Sequence, residues 1–199
     1  MKYSLLPEDA FQNLQINAGI VVSEDGFVPS TGVVTESKIY GATSGGISFS
    51  TNPTYVDFGE DVDNCPANTW QLKRLASVDP TASGTFISVK SVRIADLVGS
   101  QSFAVDATTR VAKITQDEQL TADNFKGLWI IGDYSDVNTG DDAGFLAIHL
   151  KNTLNMTGFQ IQTNKDAKGT MAFEYHAHYD INNPSEHPYE IYCKVGESE

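Results

Sequence analysis

The stretch from 169 to 180, GTMAFEYHAHYD, alternates apolar and polar side chains along most of its length. Successive side chains of an extended chain point to opposite faces, so this pattern demands a strand with one buried and one wet side. Met171, Phe173, Tyr175, Ala177 and Tyr179 form the expected core side. Ala172, Glu174, His176, His178 and Asp180 form the other, which places four metal-ligand types in a row at Glu174, His176, His178 and Asp180.

The same period recurs along the chain. GGISFSTNPTYVDFG (45–59) alternates in both halves around Pro53, which implies an edge strand or a bend because proline cannot donate to a ladder. GTFISVKSV (84–92) alternates, and LQINAGIVV (14–22), TRVAKIT (109–115), GFQIQT (158–163) and PYEIYCKV (188–195) also read as strands. KGLWIIGDY (126–134) is a nearly continuous apolar run, as expected of a strand covered on both faces. GFLAIHLKNTLNM (144–156) begins like a strand, with a short helix as the alternative, and WQLKRLASV (70–78) is either a short helix or irregular.

One segment has helical spacing. Ser91 is positioned to cap it, Ile94, Leu97 and Val98 share a face, and Gly99 can close it. Thr121 is expected to cap a helical turn in LTADNF (120–125). There is no strand–helix–strand alternation, which argues against a doubly wound fold, and no repeat of 20 to 50 residues. The expectation is a mainly β chain forming one domain over 1–199, with long inter-strand loops near 23–44 and 59–70.

With 40% hydrophobic and 20% charged residues, a chain of 199 residues can bury a core. The 26 acidic residues outnumber 13 Lys and Arg, for a net charge of −13. That is the wrong sign for holding nucleic acid. The N-terminus does not read as a secretion signal, and the apolar runs are too short to cross a bilayer, so no membrane partner is expected. Cys65 and Cys193 form no CxxC pair and read as free thiols of a reducing cytoplasm. On the same ground the sequon at Asn155 is expected to be idle.

Chemical motifs are sparse. GATSGG (41–46) lacks the Lys-Ser/Thr of a phosphate loop and reads as a flexible turn. In DYSDVNTGDD (133–142), Asp136 and Asn138 suit the first two positions of an EF-hand, but Gly140, Asp141 and Ala147 do not suit the later ones. An EF-hand is excluded, which leaves only a looser acidic cation site. No G-x-S-x-G occurs. His149 or His187 could join His176 and His178 as a third metal ligand, yet no acid–base constellation accompanies them. No catalytic residue, cofactor or metal site is therefore assigned.

Four segments carry a family likeness: FQNLQINAGIVV, GATSGGISFSTNPTYVDFGEDVDNCPAN, GLWIIGDYSD and FLAIHLKNTLNMTGFQIQTNKDAKGTMAFEYHAHYDINN. In order and character they resemble the tail tube (major tail) proteins of long-tailed, non-contractile bacteriophages, over roughly residues 10 to 195. The resemblance implies a β-sandwich or barrel with one flanking α-helix, similar to the tube protein of type VI secretion. It implies a structural virion protein rather than an enzyme. Subunits would close into hexameric rings and stack into a hollow tube around a tape-measure protein, between a tail tip or initiator complex and a tail terminator. Phage DNA would pass through the lumen without specific binding. Assembly would take place in the host bacterial cytoplasm, and the product would sit in the virion tail.

On this view the helix near 91–98 is the flanking helix, and loop 23–44 or loop 59–70 is the arm reaching the next ring. An acidic lumen would repel phosphate over about 8–10 Å. Two alternatives stand beside it. One is a metal-binding β-barrel enzyme using His176 and His178. The other is a monomeric β-sandwich binding module with an aromatic face drawn from Tyr175, Tyr179, Tyr189 and Tyr192, although tyrosines alternating on strands more often pack half-buried.

Overall fold

The computed structural model describes residues 19–99, 101–133 and 143–194, and all its strand pairs are antiparallel. In chain order the first strands are β1 (Ile20–Ser23), β2 (Phe27–Val28), β3 (Val33–Val34), β4 (Gly41–Ser50), β5 (Pro53–Asp57), β6 (Lys73–Val78) and β7 (Thr81–Val89). The helix α1 (Ser91–Val98) follows, then β8 (Gln101–Val105), β9 (Ala112–Gln116), β10 (Lys126–Asp133), β11 (Phe145–Asn155), β12 (Gln160–Gln162), β13 (Thr170–Ala177) and β14 (Tyr189–Lys194). The fold is thus mainly β, with one α-helix among the described residues beside a large antiparallel sheet.

The sheet runs β1-β10-β11-β13-β7-β4, with β12 on β13 and β14 on β11. Its spine is β11, eleven residues long. One edge of β11 pairs with β10. The other edge pairs first with β14, through residues 145–150, and then with β13, through 153–155. The handover falls at Asn152, whose φ of 49° is the left-handed conformation that asparagine tolerates better than most residues. The two ends of the sheet come back together ahead of β4. Ile39 bridges Val22, and the Tyr40 N–H donates to the Val21 carbonyl at 2.9 Å.

Both faces of β10 are covered, which accounts for its unbroken apolar run. Leu128 and Ile130 point into the main core with Val21, Phe86, Leu150 and Phe173. Trp129 and Ile131 point outward into a second cluster with Val22, Phe27, Phe145 and Ala147. A flap formed by residues 24–39, which contains the β2–β3 hairpin, closes that outer cluster. Phe27 meets the Trp129 ring edge-on at 5.0 Å and Phe145 at 5.3 Å. Burying side chains of this size stabilises by roughly 1.5–3 kcal/mol each.

Several sequence expectations shift. Ser91 does not cap α1: the cap position is Lys90, Ser91 is the first helical residue, and no side chain caps the end. The residues of α1 that sink into the core are Ala95 and Leu97, with Ile94 and Val98 half-buried at the sides. GATSGG is no free turn. It lies inside β4, where the pairing with β7 slips and Gly45 and Gly46 take φ of 80° and 85°. Such a bulge needs residues without a Cβ. WQLKRLASV is a short 3-10 turn, Trp70–Leu72, followed by β6. The helical alternative for 144–156 is replaced by strand throughout 145–155. Thr121 does precede a helical turn, and its backbone N–H donates to Asn124 Oδ1 at 2.7 Å. The acidic segment 134–142 and the first part of the expected 14–22 strand lie outside the described residues.

Asn155 joins the helix to the sheet. Its Nδ2 donates to the Leu97 carbonyl at 2.6 Å and to the Gly158 carbonyl at 3.0 Å. Its Oδ1 accepts from the Glu174 backbone N–H at 2.9 Å. One side chain thereby satisfies a helix-end carbonyl, a turn carbonyl and a strand amide. Replacing Asn155 with Leu should cost about 3 kcal/mol in urea unfolding, because buried polar groups lose their partner. A loss below about 1 kcal/mol would show that water replaces the amide there.

Candidate functional site

The histidine row of 169–180 divides because β13 ends at Ala177. His176 still lies on the strand, between two carboxylates: Nδ1 is 3.0 Å from Asp79 Oδ1 and Nε2 is 3.1 Å from Glu174 Oε1. His178 lies past the strand end. Its Nδ1–H donates to the Asn152 carbonyl at 3.0 Å, and its ring meets Phe125 edge-on at 5.2 Å. His187 Nδ1 faces the Tyr179 hydroxyl at 3.5 Å, and His149 stacks on Trp129. The structure therefore does not bring His176 and His178 to a common point. Among the described residues no group of three or more His, Cys, Asp or Glu is arranged to hold a metal ion.

His149, His178 and His187 do share the wall of a polar pocket of about 180 Å³ with Glu24, Lys151 and Glu186. Lys151 is held by Glu186 and by Glu190, the latter at 2.6 Å, so its ammonium is already neutralised.

The four tyrosines do not make one aromatic face. Tyr175 is buried in the main core, and its hydroxyl has no hydrogen-bond partner among the described residues. Tyr189 packs on Phe49, and Tyr192 lies against Trp129 on the outer side. Tyr179 was expected in the core but is 39% exposed, because it too lies beyond β13. It turns instead to the rim of the sheet, where its hydroxyl accepts from the Val78 N–H at 3.1 Å.

What projects from the body is a pair of two-stranded hairpins. The first, β5–β6, continues the β4–β7 ladder outward. Ser50 pairs with Thr81 in the sheet, and Pro53 pairs with Val78 beyond it, so the register is unbroken. Pro53 stands at the first position of β5, where a missing donor is tolerated. The joint is pinned by Asn52, whose Nδ2 donates to the Asp79 carbonyl at 3.1 Å. Asp57 gathers the tip, accepting from the Gly59 and Asn68 backbone N–H groups at 2.9 Å each. Loop 59–70 is the tip of this arm. Loop 23–44 is largely the flap over the outer cluster, with β4 beginning at Gly41.

The arm exposes large apolar side chains among its charged ones. Trp70 is 79% exposed, Phe58 65% and Tyr55 61%, with Val56, Val62 and Leu75 also exposed. In the second hairpin, β8–β9, the second strand overlaps the strand pattern of TRVAKIT, whereas the first lies outside every segment that reads as a strand. Its turn is closed by Asp106 Oδ1, which accepts from the Thr108 and Thr109 N–H groups at 2.8 and 2.7 Å. These donors hold the Asp106 carboxyl below its usual range. No family model matches the chain, and no curated protein matches it.

His176 yields a pH test. Burial alone would lower its pKa, but the bonds to Asp79 and Glu174 outweigh it and raise the value above the ordinary 6.5. A folded-state pKa above the unfolded one gives stability that is present below about pH 6.5 and lost as pH rises through the folded value. The stability gap between the parent and His176→Gln should therefore be larger at about pH 5.5 than at about pH 8, by urea titration. Equal gaps would show that the two carboxylates do not hold the charged ring.

Proposed function

We propose that this chain is a structural subunit that builds by self-association, and that its assembled form is a bacteriophage tail tube. Copies would close into hexameric rings and stack around a tape-measure protein, with tail tip and terminator proteins at the ends and the lumen serving as the conduit for DNA. The observation that carries the reading is the β5–β6 arm. A two-stranded hairpin standing off its sheet buries too little to be stable in isolation. Here both strands present large apolar side chains to solvent, Tyr55 and Val56 from β5 and Leu75 from β6, and clustered exposed apolar groups are the kind of surface that protein interfaces cover. A neighbouring copy supplies the cover such an arm requires.

The architecture and the charge support the same reading. A curled antiparallel sheet with one flanking helix suits a ring subunit, since ring closure can pair open strand edges. A net charge of −13 favours letting DNA slide past over gripping it. Loop 59–70, at the arm's tip, would then be the part that reaches the adjoining ring.

Concentrated protein should show rings or tubes by negative-stain microscopy, and an association constant measurable by sedimentation. Changing Trp70 and Phe58 together to Ser should raise the concentration needed for assembly by about 30-fold or more, the scale of an interface hot spot, while leaving the melting temperature nearly unchanged. A parent protein that stays monomeric to about millimolar concentration and does not add to tails in a phage lysate would overturn the reading.

A further inference from the structure

We propose that the acidic tip of one copy's arm docks against the turn carrying Lys165 and Lys168 of a second copy, so that subunits associate head to tail. This rests on the self-association reading above and names the surface that receives the arm. The receiving turn joins β12 to β13, and both of its lysines are exposed. The Asp166 N–H donates to Asn164 Oδ1 at 3.1 Å, a side-chain bond that shapes the turn. Beside it lies an open groove of about 820 Å³, lined by the two lysines and Asp166 and, from the neighbouring strands, by Ser44 of β4 and half-buried Ile87 of β7.

Charge selects the occupant. The chain carries −13 overall, yet this turn is net positive, with two lysines against Asp166. The arm's tip has the opposite character. Glu60, Asp61 and Asp63 are all exposed, and no Lys or Arg occurs from 58 to 72. Neither these three acids nor Lys165 and Lys168 make an ion pair among the described residues. Lys126 and Lys151, by contrast, are paired within their own copy. Val62, set between Asp61 and Asp63, is 53% exposed and offers Ile87 an apolar contact. Opposed charges of this kind fix the register of a contact and reject wrong partners.

The placement directs the arm to another copy. Arm and groove lie at opposite ends of β7. The arm continues from the end where Ser50 pairs with Thr81. The lysine turn stands at the other end, where Met171 of β13 pairs with Phe86. From Thr81 to Ile87 an extended strand covers roughly 20 Å. Because the register runs unbroken into the arm, the arm points away from the groove of its own copy. Each docking event leaves one arm and one groove free at the two ends. Such a contact is heterologous and repeats along an axis instead of closing a pair.

The test uses two complementary full-length proteins. One carries Lys165→Glu and Lys168→Glu, which makes arm and groove both acidic. The other carries Glu60→Lys, Asp61→Lys and Asp63→Lys, which makes both basic. Association is followed by sedimentation velocity at about 0.1 M salt, where surface charges still act over about 10 Å. Each protein alone should associate about 10-fold more weakly than the parent, or worse, because like charges then face each other. A 1:1 mixture should recover to within about 3-fold of the parent, because every arm then meets a groove of opposite sign. The arm substitutions move the net charge from −13 to −7, so general repulsion alone would strengthen association where docking predicts a loss. If a reversed protein does not fold, Lys165→Gln with Lys168→Gln should still weaken association by about 3-fold, and an unchanged constant overturns the contact. The contact also fails, with the tube reading intact, if either reversed protein associates as the parent does or if the mixture of folded variants does not recover. A parent that never associates overturns both.

Discussion

One buried amide holds the architecture in register. Asn155 ends the strand that has just exchanged β14 for β13, and its side chain reaches the last turn of α1 and the backbone of β13 together. An eight-residue helix cannot persist on intrinsic propensity. It stays because Leu97 fills the core and because the Leu97 carbonyl finds Asn155. The β8–β9 hairpin begins directly after this helix, so its placement also depends on that amide.

Around this joint the protein separates two kinds of surface. The body buries aromatic residues on both sides of β10. The arm does the opposite, leaving Tyr55, Phe58 and Trp70 largely exposed. An apolar projection on a body of strong negative charge is a combination that favours association through defined contacts over indiscriminate clumping.

The sequence was most legible where burial imposes a period. KGLWIIGD reads as a doubly covered strand because both of its faces are covered, and alternation over 171–177 reports one buried face correctly. It misleads at Tyr179 and His178, since the pattern continues for three residues after the ladder has stopped at Ala177. Positions that face water leave little pattern to read. For that reason WQLKRLASV reads ambiguously although its second part, β6, forms half of the arm. The glycines of GATSGG suggested a loop, whereas an edge strand can absorb two left-handed glycines as a bulge. The apparent ligand row dissolved for a related reason: sequence spacing shows which side chains share a face, but not where the strand ends. His149 carries no motif at all, and its setting arises from cross-strand neighbours 20 and 41 residues away.

The unbroken register between the β4–β7 ladder and the arm has a mechanical meaning. An appendage on a flexible tether swings freely and transmits no torque. This one is cut from the same pair of strands as the wall it leaves, clamped at the joint by Asn52 and propped by the Tyr179 hydroxyl. Its angle is therefore a property of the main sheet, and a push at Trp70 is felt as a bending moment on β7 and, through it, on β13. Such a lever sets the pitch at which a second body can sit against the first, much as a tooth sets the spacing of a gear.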